Sequence, residues 1–122
     1  MSSITDTAKA IYDAYVAKDC GIVESLLADD FLFTSPLDNA LDRDGYFAIC
    51  WPNSANTDSF EIVHMAEQGE LVFVTYECQR EQARLRNTEV LTIRRGKIAK
   101  VEVYFGWNVP HRVPSGEHRA PE

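Results

Sequence analysis

The sequence has no long apolar run, little cysteine and few basic residues, and each shortage excludes a class of protein. No stretch of about 18 consecutive apolar residues occurs, so a membrane-spanning helix and a membrane partner are not expected. The 122 residues include 12 Lys and Arg against 19 Asp and Glu, a formal net charge of −7. This charge argues against binding to nucleic acid by phosphate neutralisation. The N-terminus lacks a basic segment followed by an apolar one, so a cytoplasmic location is predicted.

Cysteine and glycine are also too sparse for several kinds of active site. Cys20, Cys50 and Cys78 are odd in number and form no Cys-x-x-Cys motif, which predicts free thiols in a reducing compartment. The sequence contains no glycine-rich phosphate loop, no Ser-His-Asp spacing and no zinc-ligand spacing. We therefore expect neither a metal nor another cofactor.

Hydrophobic periodicity divides the chain into a helical part and a strand-rich part. The expected elements are a helix with an apolar stripe from Ile4 to Val16, a short helix capped by Asp19, a strand over 31–34, a helix from Asp42 to Cys50, and strands over 60–66, 71–78, 85–95 and 97–105. Helices followed by an antiparallel meander indicate an α+β fold, with the helices on one face of the sheet. We expect one domain over 1–108 and a polar tail over 109–122.

The predicted strands are more apolar than a sheet with one solvated face requires. Both alternating faces of 71–76 are largely hydrophobic, and the last strand keeps Tyr104 on its second face. Because three helices are already used on one face, a second copy of the chain is the simplest cover for the other. We therefore expect a homodimer, with Val90 and Tyr104 on the paired surface.

Three parts of the sequence resemble the SnoaL-like and ketosteroid-isomerase-like group of the NTF2-like superfamily. They are AKD at 17–19 with LLADDF at 26–31, FTSPL at 33–37, and RGKI at 95–98 with VYFG at 103–106. The resemblance implies a cone-shaped α+β barrel with three N-terminal helices packed on a curved antiparallel sheet. It says less about function, because this fold serves isomerases, cyclases, hydrolases, dehydratases and non-enzymatic adaptors.

The resemblance also orients the strands and implies an apolar pocket inside the cone. Tyr46 and Trp51, on the third helix, are either core residues or part of that pocket. The ligand-pocket residues expected on this basis are Phe33, Ser35, Tyr46, Trp51, Val74, Tyr76, Leu85, Asn87, Val103, Phe105 and Trp107.

Steroid isomerases of this group use a carboxylate base before a proline, a tyrosine on the first helix and a protonated acid on a late strand. Matching through 17–19 puts the tyrosine position on Ile11, the base position on Ser35 and the acid position on Glu89. Two of the three groups are then missing. Steroid isomerisation by that mechanism is therefore not expected, because a serine hydroxyl needs its own base to take a proton from carbon.

Glu89 and Asp38 are the candidate catalytic residues. An apolar cavity would make the Glu89 carboxylate costly to ionise, which would raise its pKa and make it a proton donor. The alternative for Glu89 is a bond to Arg86 or Arg94, or a strand end in water. Asp38 is either a displaced general base or a turn residue bonded to its own backbone.

These residues predict a binder of a small hydrophobic molecule. It is either a cofactor-free isomerase, cyclase or dehydratase, or a non-catalytic ligand-binding or dimerisation module.

Overall fold

A computed structural model describes residues 3–116, and helices precede most of the strands along this part of the chain. The helices are α1 (Ile4–Ala17), α2 (Cys20–Leu26) and α3 (Arg43–Ile49), and a 3₁₀ helix covers Trp51–Asn56. The strands are β1 (Leu27–Ser35), β2 (Asp38–Leu41), β3 (Thr57–Gln68), β4 (Leu71–Arg80), β5 (Ala83–Arg94) and β6 (Lys97–Asn108). This order confirms the predicted α+β fold. Of the predicted tail, 109–116 form neither helix nor strand, and 117–122 lie outside the described residues.

Polar caps begin the helices where the sequence predicted them. The Ser3 hydroxyl accepts from the backbone N–H of Asp6, and the Asp6 carboxylate accepts from the backbone N–H of Ser3. The Asp19 and Asp42 carboxylates accept from backbone N–H groups in the first turns of α2 and α3. No helix within residues 3–116 is long and apolar enough to cross a bilayer.

Within residues 3–116, six strands form one sheet in the order β2-β1-β6-β5-β4-β3. The last four make the predicted antiparallel meander, whereas β1 pairs parallel to β6 and antiparallel to β2. The sheet is bent at β-bulges and does not close into a barrel, because β2 and β3 are its free edges. Helix α1 packs on β3 and helix α3 on β1, so the helices cover the concave side.

β3 to β6 differ from their predicted bounds by up to three residues at an end, and the larger departures are in β1 and β2. β1 begins at Leu27, directly after α2, instead of at Phe31. β2 occupies 38–41, between the predicted strand over 31–34 and the predicted helix from Asp42, where no strand is expected. Four residues give too little alternation to indicate a strand, and Ala40 has a φ of 51°, which its residue type does not predict.

The core lies between the helices and the concave side of the sheet. Its most deeply buried side chains are Phe31, Leu91, Ile98, Val23, Val72 and Val74. On the outer face, Phe73 and Tyr104 keep 36% and 55% of their surface exposed. These exposed apolar groups agree with the expectation that a second chain covers this face, and the homodimer stays a prediction.

A β-bulge at Gly106 reverses the alternation at the end of β6. Phe105 pairs with Asn87 and Trp107 pairs with Arg86, so Gly106 between them has no partner on β5. Any other residue at position 106 would place its Cβ 2.1 Å from the backbone oxygen of Arg86. This is too close for two non-bonded atoms, so the position requires glycine. The extra residue places Trp107 on the same side as Arg86, away from the concave face.

Candidate functional site

A cavity of about 190 Å³ opens between the concave side of the sheet and the helices α1 and α3. Engineered apolar cavities of about 150 Å³ bind benzene, so this volume suits a compound of one or two rings. Both candidate catalytic residues border it. The predicted pocket residues that line it are Phe33, Ser35, Tyr46, Tyr76, Asn87, Val103 and Phe105.

The remaining predicted pocket residues, Trp51, Val74, Leu85 and Trp107, do not line the cavity, and their assignment is corrected here. Trp51 packs edge to face on Tyr15, with ring centroids 5.1 Å apart, and so serves the packing of the helices. The two aliphatic side chains are taken up by the core. Trp107 is moved to the outer side by the bulge, where it stacks on His111 at 5.0 Å.

Glu89 holds the polar part of the cavity together. The Tyr76 hydroxyl donates to Glu89 Oε2 at 2.6 Å, and the Tyr12 hydroxyl donates to Glu89 Oε1 at 3.2 Å. The three residues come from α1, β4 and β5, and strand register alone places Tyr76 and Glu89 on the same face. The result is a carboxyl group held between two phenols at the wall of an otherwise largely apolar cavity.

The arginines considered as alternative partners of Glu89 are engaged elsewhere. Arg86 lies 3.0 Å from a carboxylate oxygen of Glu77, and Arg94 lies 3.2 Å from one of Glu70. Glu89 retains intermediate accessibility because its carboxyl borders the cavity. The carboxyl is therefore neither paired with an arginine nor placed at an exposed strand end.

Burial raises the pKa of Glu89 above its ordinary value of 4.5, and the hydrogen bonds from Tyr76 and Tyr12 offset only part of this rise. Burial is also the main cause that raises the pKa of both tyrosines, and the neighbouring Glu89 raises their pKa further. Both phenols therefore stay protonated at neutral pH. The protonated form of Glu89 is favoured more than in an exposed glutamate, which suits a hydrogen-bond donor.

Tyr12 was not identified when the sequence was matched to the steroid isomerases through residues 17–19. Matching placed the first-helix position on Ile11, yet the hydroxyl group in the cavity comes from the next residue. Both side chains border the cavity, since neighbouring positions differ by only about 100° around a helix. Tyr12 belongs to the apolar stripe of α1, and that stripe was the signal that could have identified it.

The Asp38 side chain bonds to the side chain of Ser35 instead of to its own backbone, and its role as a general base stays a prediction. It begins β2 beside a tight turn, and its Oδ2 accepts from the Ser35 hydroxyl at 3.2 Å. It also borders the cavity, so its carboxyl is available to a bound molecule. The hydrogen bond from Ser35 holds this carboxyl in one orientation.

The three cysteines are free, in agreement with the predicted thiols. Burial, with a smaller contribution from the nearby Asp38, raises the pKa of Cys50 to about 11. Burial also raises the pKa of Cys78. These two thiols therefore stay protonated at neutral pH and are poor nucleophiles. Among residues 3–116, His, Cys, Asp and Glu form no group of three that could hold a metal ion.

Sequence reasoning also missed the rim of the cavity near the 3₁₀ helix. Asn53, Thr57 and Arg80 line the cavity there. Arg80 shares its strand face with Tyr76, and alternation along β4 could have predicted this.

Comparison with known proteins gives one family match and several solved structures of the same fold. A family model described as a SnoaL-like domain matches residues 8–101. An NTF2-like protein of unknown function from Burkholderia xenovorans is 18% identical, with a TM-score of 0.77 over 97% of this chain and 95% of that one. No curated protein matched the chain.

Two further structures carry names that refer to an activity. IdmH from Streptomyces antibioticus, named as a candidate polyketide cyclase, is 18% identical, with a TM-score of 0.69 over 84% of this chain and 91% of that one. A candidate ketosteroid isomerase from Kribbella flavida is 16% identical, with a TM-score of 0.74 over 98% of this chain and 90% of that one. At these identities the likeness shows the fold alone.

Proposed function

The chain belongs to the SnoaL-like domain family, and we propose that it binds a small, largely apolar carbonyl compound and catalyses a cofactor-free acid–base reaction on it. The observation that carries this proposal is the Tyr12–Glu89–Tyr76 group at the wall of the cavity. The reaction is an isomerisation, a cyclisation or a dehydration. Each of these removes a proton beside a carbonyl group and develops negative charge on the carbonyl oxygen.

A count of protons shows when this group can serve a ligand. With Glu89 neutral, Tyr12, Tyr76 and Glu89 carry three O–H protons, and two of them fill the internal hydrogen bonds. One donor is left for a ligand oxygen. With Glu89 ionised, two protons serve two internal bonds and none is left. A carbonyl ligand that accepts a hydrogen bond from this group therefore requires the neutral carboxyl, which burial favours.

The same donor would assist the reaction. A hydrogen bond to the carbonyl oxygen strengthens as that oxygen gains charge, so it stabilises the transition state more than the bound substrate. Asp38 would take the proton from the adjacent carbon, with its carboxyl oriented by Ser35. The names of two structurally similar proteins, a candidate polyketide cyclase and a candidate ketosteroid isomerase, agree with this class of chemistry.

Non-catalytic binding is the second candidate function, and the environment of the base favours it. Ser35 stands at the position where the steroid isomerases carry their base, and its hydroxyl occupies one oxygen of Asp38. A base that is engaged in this way removes a proton from carbon less readily. The chain would then hold its ligand without turnover.

Binding of 2-acetylnaphthalene, a neutral ketone that does not titrate, tests the proposal. We expect its affinity for the wild-type protein to fall as the pH rises through the pKa of Glu89. Glu89→Gln should bind the ketone without this pH dependence, because the amide always offers an N–H donor. Glu77→Gln, on the outer face, is the matched control and should behave as the wild type does. A wild-type affinity that does not change with pH would contradict the proposal.

Exchange of the acetyl protons of the same ketone in D₂O separates the two candidate functions. A catalyst should exchange them faster than buffer does, and Asp38→Asn should lose this exchange while still binding. Binding without exchange would favour the non-catalytic function.

The outer face of the sheet supports pairing with a second copy of the chain. Phe73 and Tyr104 are exposed there, and the Thr75 and Thr88 hydroxyls bond to each other at 2.7 Å between β4 and β5. The two threonines are uncharged and hydrogen-bond to each other, so pairing with a second copy would bury no charge at these two positions. We propose a homodimer through this face.

A further inference from the structure

Arg80 borders the cavity and has no anionic partner among residues 3–116. It ends β4 and is half-buried, and no carboxylate of the described chain lies within 4.0 Å of its guanidinium. On the outer face, by contrast, Arg84 and Arg86 both pair with Glu77. An anion stabilises a half-buried cation at the rim of an apolar cavity more than it would in open water, because the local dielectric is lower. A bound ligand can supply that anion.

The strand geometry places Arg80 at a defined distance from the Glu89 group. Arg80 and Tyr76 lie on the same face of β4, four residues apart, which corresponds to about 13 Å along the strand. Arg80 pairs with Thr57 at the start of β3, where the Lys18 ammonium donates to the Thr57 carbonyl at 3.0 Å. Arg80 lines the cavity at this rim, whereas Lys18 is exposed and lies outside the cavity lining.

Asp38, which also lines the cavity, is separated from Arg80 by three strands of the sheet. Asp38 lies on β2 and Arg80 on β4, with β1, β6 and β5 between them. An anionic ligand group is repelled from Asp38 and attracted to Arg80. The charge distribution therefore favours one orientation of a bound molecule, with its anionic end at Arg80.

Resting on the proposed function, we propose that Arg80 binds the carboxylate of the ligand and so selects carbonyl compounds that carry an acid group at their far end. A planar guanidinium matches a carboxylate through two parallel N–H···O hydrogen bonds. The apolar ring system of the ligand fills the cavity between this contact and Glu89. Arg80 is thus a specificity-determining residue, and the preferred substrate is a two-ring keto acid.

Three related compounds test this assignment: 6-acetyl-2-naphthoate, its methyl ester and 2-acetylnaphthalene. They share the ring system and the ketone, and only the first carries a carboxylate. Dissociation constants are measured for the wild type, Arg80→Gln, Arg80→Lys and, as the matched control on the outer face, Arg84→Gln. Thermal unfolding of each variant establishes that it is folded.

We expect the wild type to bind the naphthoate about tenfold to a hundredfold more tightly than the methyl ester, the usual gain from a charge-assisted contact. Arg84→Gln should keep this preference and Arg80→Gln should lose it. Arg80→Lys should retain part of it, because lysine keeps the charge without the paired donors. This intermediate value supports the assignment even where Arg80→Gln does not fold.

Two outcomes overturn the assignment and are distinguishable from failure of the proposed function. Equal binding of acid and ester by the wild type, or an unchanged preference in Arg80→Gln, refutes the role of Arg80 and leaves the ketone site standing. If none of the three compounds binds, the proposed function fails together with this inference.

Discussion

Tyr76→Phe removes the shorter of the two hydrogen bonds that hold Glu89, and nearly nothing else. The ring of Tyr76 packs against Phe60 and Tyr12 with centroids 5.0 and 5.5 Å apart, and phenylalanine retains these contacts. The lost interaction is the O–H donated to Glu89 Oε2 at 2.6 Å. Tyr12→Phe, which removes the bond of 3.2 Å, is the natural companion variant.

The size of the effect depends on the charge of Glu89. A hydrogen bond between neutral groups contributes about 0.5–1.5 kcal/mol to the free energy of unfolding, and one to a charged group contributes about 1.5–3 kcal/mol. The hydrogen bonds from Tyr76 and Tyr12 both lower the pKa of Glu89, and the one from Tyr76 has the larger effect. Its loss therefore raises that pKa further. A raised folded-state pKa gives stability that is present at low pH and lost as the pH rises through it. Tyr76→Phe should therefore cost more free energy of unfolding at high pH than at low pH.

Urea unfolding measures this cost. The fluorescence of Trp51 and Trp107 reports the transition. The series covers the pH range over which the protein stays folded, at one protein concentration, which keeps any dimerisation constant. As the pH rises, we expect the loss of unfolding free energy in Tyr76→Phe to increase from about 0.5–1.5 kcal/mol, typical of a neutral hydrogen bond, towards about 1.5–3 kcal/mol, typical of a charged one. At every pH this loss should exceed the loss in Tyr12→Phe. A cost that does not change with pH, or a larger cost for Tyr12→Phe, would refute the reasoning.

Three further predictions follow from the same structure. Glu89→Gln should keep ligand binding but lower any turnover by at most about a thousandfold, because its amide N–H is a weaker proton donor to the charged oxygen than the carboxyl O–H. The free energy of unfolding of Glu89→Gln should equal that of the wild type at acid pH and exceed it increasingly as the pH rises, because glutamine has no carboxyl whose ionisation burial would oppose. Denaturation at several pH values checks this. Gly106→Ala should lower the free energy of unfolding by about 1–3 kcal/mol in urea unfolding, since its Cβ meets a backbone oxygen, and an unchanged midpoint would contradict the bulge. Light scattering should give about twice 13.8 kDa, and Tyr104→Glu should shift it towards the monomer; a wild-type monomer at all concentrations would refute the dimer.

The sequence predicted the parts of the fold that depend on interactions between residues close together in the chain. Side-chain caps at Ser3, Asp19 and Asp42 mark the starts of the helices, and alternation marks the strands of the meander. Alternation together with the family resemblance also placed Tyr76 and Glu89 on one face, where the structure joins them by a hydrogen bond. These features repeat along the chain with a fixed period, so a single sequence reveals them.

The remaining features depend on tertiary contacts that have no local period. The bulge at Gly106 follows from a close approach to β5, and it moved Trp107 out of the expected pocket. Ile11 and Tyr12 both face the cavity, so matching by sequence position did not identify Tyr12 as the residue that supplies the hydroxyl. Alternation along β4 could have placed Arg80 on the concave face, but its lack of an acidic neighbour among residues 3–116 depends on the tertiary fold.

The titration of the Glu89 carboxyl tests the central claim most directly. In protein labelled with ¹³C at the glutamate carboxyl carbon, the resonance that Glu89→Gln removes is followed against pH, with and without 2-acetylnaphthalene. The account predicts a midpoint above the ordinary value of 4.5, and a further rise when the ketone binds, because the ketone requires the protonated carboxyl. A midpoint at or below the ordinary value, or one that the bound ketone leaves unchanged, would contradict it.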